Sequence, residues 1–118
     1  MGFIHVDVDV SNPATPDVSE RVRALVDTGA TLSILPADML DRLGIQRMGK
    51  RRVRSSSGVL ILDTGIVTIR YCGDIAGTTA AFGAEDAPPI IGAVAITSMG
   101  YEVDPVNGRL NRLDMLRL

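Results

Sequence analysis

Ala24-Leu25-Val26-Asp27-Thr28-Gly29-Ala30-Thr31 is the stretch on which the reading of this 118-residue chain turns. An apolar run stops at a carboxylate, a hydroxyl, a glycine and two more small residues, so an acid is carried to the end of a strand and presented by a tight loop. Ala24, Leu25 and Val26 predict a buried strand, a rigid base for a functional loop. Asp27 points out of it. Thr28 offers one donor and two lone pairs to lock the loop, and Gly29 permits a close approach that a side chain would forbid.

Outward from this loop the chain reads as short strands and tight turns. Ile4, Val6, Val8 and Val10 alternate with His5, Asp7 and Asp9, the period of a half-buried strand. Ser11 to Pro16 reads as a loop, Val22 to Val26 as the returning strand, and Thr31 to Leu35 as its continuation past the acid. Pro36 at a first helical position, Met39, Leu40 and Leu43 on one face, and Gly44 as a stop predict a short helix. Lys50 to Arg54 and Val59 to Tyr71 predict two strands around a small tip, Ser55 to Gly58, and so a hairpin. Cys72 to Asp74 makes a turn before a strand over Ile75 to Phe82. A loop with Glu85, Asp86 and two prolines leads into Ile90-Ile91-Gly92 and a helix over Ala93 to Met99, stopped by Gly100. Tyr101 to Val103 and Arg109 to Leu113 read as a last hairpin around Asn107-Gly108.

Asp27-Thr28-Gly29-Ala30 resembles the signature of aspartic proteases, and Ala30 places the resemblance with the retroviral-type branch, the retropepsins, and its small bacterial or cellular relatives. The order of parts carries the likeness over nearly the whole chain: strand, Asp-Thr-Gly-Ala, short helix, glycine-bearing hairpin, strands, then Ile-Ile-Gly and helix. The resemblance implies an all-β, closed-barrel fold with one or two short helices in a single domain over residues 1–118. It implies an aspartic endopeptidase active as a homodimer. Hydrolysis by carboxylates needs two acids sharing a proton, and one copy of the loop supplies only one, so a second Asp27 must come from an identical chain across a two-fold axis.

The same resemblance assigns Asp27 as catalytic and Thr28 and Gly29 as its support. Ser57, Gly58 and Val59 would belong to a flap that closes over substrate, and Ala30, Ile90 and Ile91 would line apolar subsites. The partner is an extended peptide or protein substrate. No metal or organic cofactor is implied, because acids and water suffice. The alternative is a dimer of the same fold that binds peptide as an adaptor with weak or absent catalysis. The sequence departs from the viral pattern after Ile91-Gly92, where Arg followed by Asp or Asn usually braces the loop. Ala93 and Val94 stand there instead, and Thr31 replaces the acid at the other end of that brace.

Composition bounds the rest. The chain is 46% hydrophobic but 3% aromatic without Trp, so its interior is aliphatic. Its formal net charge of −2 gives no electrostatic case for nucleic acid or an acidic membrane. Cys72 and His5 are each alone, which argues against a disulfide and a His/Cys metal site, and with no signal peptide in the first residues the cytoplasm is the expected location. Two rival signals remain. A second Asp-Thr-Gly, Asp63 to Gly65, lacks the following Ala-Thr and helix, and reads as a polar break in a strand. Arg47, Lys50, Arg51, Arg52 and Arg54 read as a solvated hairpin strand, with substrate steering as the lesser reading.

Overall fold

The computed structural model describes residues 3–117 as nine strands and two short helices. The strands are β1 (His5–Asn12), β2 (Thr15–Asp27), β3 (Ser33–Pro36), β4 (Gly49–Ser55), β5 (Gly58–Tyr71), β6 (Asp74–Gly83), β7 (Ile90–Gly92), β8 (Tyr101–Asp104) and β9 (Arg109–Arg112). The helices are α1 (Ala37–Arg42) and α2 (Ala93–Ser98). Seven strands form one sheet in the order β1-β2-β7-β3-β6-β5-β4, and β8-β9 form a separate pair. A further pairing of β1 with β5, Asp9 to Ser11 against Arg70 to Thr68, brings the sheet back on itself and leaves β4 outside the return.

The alternation in β1 works as its period requires. Val6, Val8 and Val10 are buried together with Ala24, Leu35, Leu40, Val67, Ile69 and Ile91, an aliphatic core. To this core α1 contributes Met39 and Leu40 and α2 contributes Ala95 and Ile96. Both helices stop at a glycine in the left-handed region, Gly44 at φ 73° and Gly100 at φ 85°, where a side chain would be strained.

The first hairpin is longer than its sequence suggests. β1 and β2 stay paired to Asn12↔Thr15, so the expected loop over Ser11 to Pro16 shrinks to Pro13 and Ala14. Asn12 closes it: its Oδ1 accepts the Ala14 N–H at 2.9 Å, while its Nδ2 donates to the carbonyls of Leu43 (3.1 Å) and Gly44 (3.0 Å). The far half of β2 is solvent-facing and carries no apolar alternation, which is why its strand character was not legible. Pro36, expected as the first helical residue, instead sits at the N-cap with φ −57° and ψ 131° and ends β3; α1 begins at Ala37. Asp63 is no break, because β5 runs unbroken from Gly58 to Tyr71.

Candidate active site

Asp27 is the last residue of β2, half-buried at the point where the strand gives way to the loop 28–32. The Gly29 N–H donates to Asp27 Oδ1 at 2.9 Å and the Ala30 N–H to the Asp27 carbonyl at 3.2 Å, so the loop folds around its own acid. A Cβ on Gly29 would stand 3.2 Å from that same Oδ1, which is the close approach that glycine allows.

The neighbouring strand β7 and the start of α2 clamp this loop. β7 runs between β2 and β3, parallel to β2 with Asp27 opposite Gly92, and antiparallel to β3 at Ile34↔Ile90. The Ala93 N–H donates to the Ala30 carbonyl at 2.7 Å, and the Val94 N–H to the Thr31 carbonyl at 3.2 Å. Backbone hydrogen bonds therefore join the two places where the sequence lacks an ionic brace. The Gly92 N–H donates to Ser33 Oγ at 3.1 Å; Ser33 is 1% exposed, so this hydroxyl satisfies a donor that water cannot reach. The sequence reading missed Ser33. Its only signal there is a small polar residue in an apolar strand, which is common elsewhere.

The loop opens onto a cleft of about 1020 Å³. Asp27, Gly29, Ala30, Thr31, Leu32, Ile34, Ala81 and Ile90 line it together with Lys50 to Ser56 of the β4 strand and its tip. Of the expected subsite residues, Ala30 and Ile90 line this cleft. Ile91 does not: it is fully buried in the core, because one residue along a strand reverses the side that a side chain faces. Ser57, Gly58 and Val59 also lie outside the cleft lining, at the β4–β5 tip. There Ser55 pairs with Gly58, the Ser55 hydroxyl donates to the Gly58 carbonyl at 3.0 Å, and Gly58 takes φ 122°. Thr28 is exposed and faces a second hollow of about 560 Å³. Phe3, Ile4, Val26, Val103 and the turn Pro105 to Gly108 surround it, with Asp27 on the boundary between the two hollows.

The second Asp-Thr-Gly has a structural job. Asp63 accepts from Lys50 Nζ at 2.6 Å and Arg47 at 2.8 Å, and these bonds hold its carboxyl below the usual range. Arg47 also lies over the Phe82 ring at 4.3 Å. Thr64 is buried, and a Cβ on Gly65 would stand 2.6 Å from Ile45 Cγ2. Among the described residues no cluster of three or more His, Cys, Asp or Glu could hold a metal ion, and no helix is long and apolar enough to cross a membrane.

An acid at the head of a clamped loop, lining a cleft shared by that loop and a hairpin, on an all-β scaffold with two short helices, is the arrangement that the Asp-Thr-Gly-Ala resemblance to aspartic proteases implies. The family model for aspartyl proteases matches residues 6–79, and the chain belongs to that family. Among solved structures it is similar to EIAV protease complexed with the inhibitor HBY-793, with 21% identity, coverage of 87% of this chain and 93% of that one, and a TM-score of 0.66. A search of curated proteins returns no match.

Proposed function

We propose that the protein is an aspartic endopeptidase that hydrolyses peptide bonds in an extended polypeptide, working as a homodimer in which each chain supplies one Asp27. The observation that carries this reading is the single half-buried carboxylate at the boundary of the cleft and a second, partly apolar hollow. One acid cannot be ionised to take a proton from water and at the same moment protonated to polarise the scissile carbonyl, so the reading requires a second copy on the side of Asp27 away from the cleft.

In the dimer, one ionised Asp27 draws a proton from water as the oxygen attacks the scissile carbonyl carbon. The other, protonated, gives its proton toward the carbonyl oxygen. As the tetrahedral intermediate collapses the C–N bond breaks, the nitrogen takes the proton that the first Asp27 drew from water, and the intermediate's hydroxyl returns a proton to the second Asp27, so the pair again shares one proton. Thr28, exposed beside Asp27, would tie the two loops together. Gly29 keeps the carboxylate approachable. Ala30 and Ile90 would contact substrate side chains, and Ser57, Gly58 and Val59 at the hairpin tip would close over the bound peptide and exclude water. The β1–β5 pairing supports the closed-barrel description, and the exposed Phe3, Val106, Met115 and Leu116 supply apolar surface for a dimer contact. Of the C-terminal apolar residues, which would either build a sheet shared by the dimer or cap the core, Leu110 is buried and Leu113 half-buried, which favours capping by these two; Leu118 lies outside the described residues.

The test is cleavage of a peptide library at mildly acidic pH by the native protein and by Asp27→Asn, each over a range of protein concentrations. Cleavage that vanishes in Asp27→Asn, with specific activity falling on dilution of the native protein, is the expected result. Equal rates from both proteins would remove the proteolytic assignment. Peptide binding without any cleavage by the native chain would favour the adaptor.

A further inference from the structure

We propose that the cleft selects substrates carrying carboxylate side chains, with Arg51, Arg52 and Arg54 as the specificity-determining residues; this rests on the cleft being a peptide site. β4 is bonded to β5 alone, and its residues Lys50 to Ser55 line the same cleft as Asp27. Among the described residues most cations outside this wall are held by acids, Arg21 by Asp9, Arg42 by Glu20 and Asp38, Arg47 by Asp41 and Asp63, Arg109 by Asp104 and Arg112 by Asp74, while Arg23 and Arg70 make no ion pair; within the wall Lys50 is held by Asp63. Arg51, Arg52 and Arg54 make no ion pair among the described residues and are exposed. The chain carries 14 acidic residues, yet Asp27 is the sole carboxylate in the cleft lining. The arginines therefore give that wall a positive field which the protein itself leaves uncompensated.

The strand spacing fixes the pattern of the ligand. Arg52 and Arg54 stand opposite Ile61 and Val59 and share one face of the hairpin, about 7 Å apart, while Arg51 stands on the other face; all three line the cleft. Side chains of an extended peptide alongside the β4 edge repeat at the same interval. Acids at alternate positions would meet Arg52 and Arg54 together, and a guanidinium fork can hold a carboxylate through two hydrogen bonds. Asp63 already occupies Lys50, so the strand offers its three arginines rather than all four cations.

The experiment compares peptides identical except for Glu, Gln or Lys at two alternate positions. They are cleaved at about pH 6, where Glu is ionised, by the native protein and by the triple variant Arg51→Gln/Arg52→Gln/Arg54→Gln. Each exposed pair contributes about two- to fivefold, so the Glu/Gln ratio of kcat/KM should be on the order of tenfold in the native protein, expressed mainly in KM. The ratio should shrink with added salt and fall to about one in the triple variant, with an Arg→Lys triple variant retaining part of it. Binding of the same peptides to Asp27→Asn, followed by fluorescence anisotropy, separates the two readings. A Glu preference in binding without cleavage by the native chain keeps this inference and removes the protease. Cleavage with no charge preference, insensitive to salt, removes this inference, keeps the protease, and leaves the arginines as protection of an open sheet edge. Absence of both cleavage and binding removes both.

Discussion

Gly92→Ala puts one methyl group against the backbone of the loop that carries Asp27. A Cβ at this position would lie 2.6 Å from the Leu32 carbonyl oxygen, 2.7 Å from the Leu32 carbonyl carbon and 2.8 Å from the Ala30 carbonyl oxygen. Gly92 has φ −91° and ψ 176°, which alanine adopts freely, so the cost is contact rather than backbone strain. Ordinary contact begins near 3.4 Å, so the backbone of residues 30–32 must retreat by about 0.8 Å, the difference from 2.6 Å. None of the three atoms belongs to a side chain that could swing aside.

Overpacking of this kind costs about 1–3 kcal/mol. The retreat also stretches the Ala93 to Ala30 and Gly92 to Ser33 hydrogen bonds, adding about 1 kcal/mol if one of them is lost. A total of roughly 2–4 kcal/mol is a large part of the stability of a small domain. A displacement approaching 1 Å at the reacting group would lower cleavage on the order of 10²-fold. Urea unfolding and peptide cleavage measure the two effects. Gly77→Ala is the control, since a Cβ there meets nothing within 4 Å and the site is an exposed strand position without positive φ. If Gly92→Ala unfolds and cleaves like Gly77→Ala, the clamp between β7 and the loop is not what holds Asp27 in place.

Ser33→Ala removes the acceptor of the buried Gly92 N–H and should cost about 1–3 kcal/mol in urea unfolding, with Ser33→Thr losing less because the hydroxyl remains; equal losses would deny the hydrogen bond its role. Burial, and then donation to Asp74 at 2.7 Å, pushes the Tyr101 phenol up to about 12. Folding thus favours the protonated phenol. Its contribution is whole below about pH 10, the unfolded value, and drains as pH rises to about 12. The urea midpoint of the native protein should fall more steeply over that window than that of Tyr101→Phe, and coincident alkaline limbs would contradict the assignment. At the acid end, hydrogen bonds from Tyr101 and then Arg112 hold the Asp74 carboxyl below its usual range. That stabilisation is present above about pH 4 and is lost as pH falls through the lowered value, a loss that Asp74→Asn should not show.

The features legible in the sequence were those with a local cause. Period two placed Val6, Val8 and Val10 inside, glycine at positive φ ended both helices, and the small-residue run after Asp27 announced a loop. Less legible were features whose cause lies across the sheet. The outer half of β2 is held as a strand by pairing with β1 and not by any pattern of its own. Ile90 and Ile91 are alike in chemistry, and only the register of β7 between β2 and β3 sends one to the cleft and the other to the core.

The same division runs through the site. By itself the sequence determined that an acid would be displayed on a tight loop at the end of a strand, because composition and order within eight residues suffice to specify it. Tertiary structure alone decided that Ser33 and Gly92 to Val94, some sixty residues further on, would clamp that loop. It also decided that three arginines would share a cleft with the acid without carboxylates of their own. Hydrogen-bond partners and charge neighbours are set by which strands lie side by side, and no local pattern of residues encodes that adjacency.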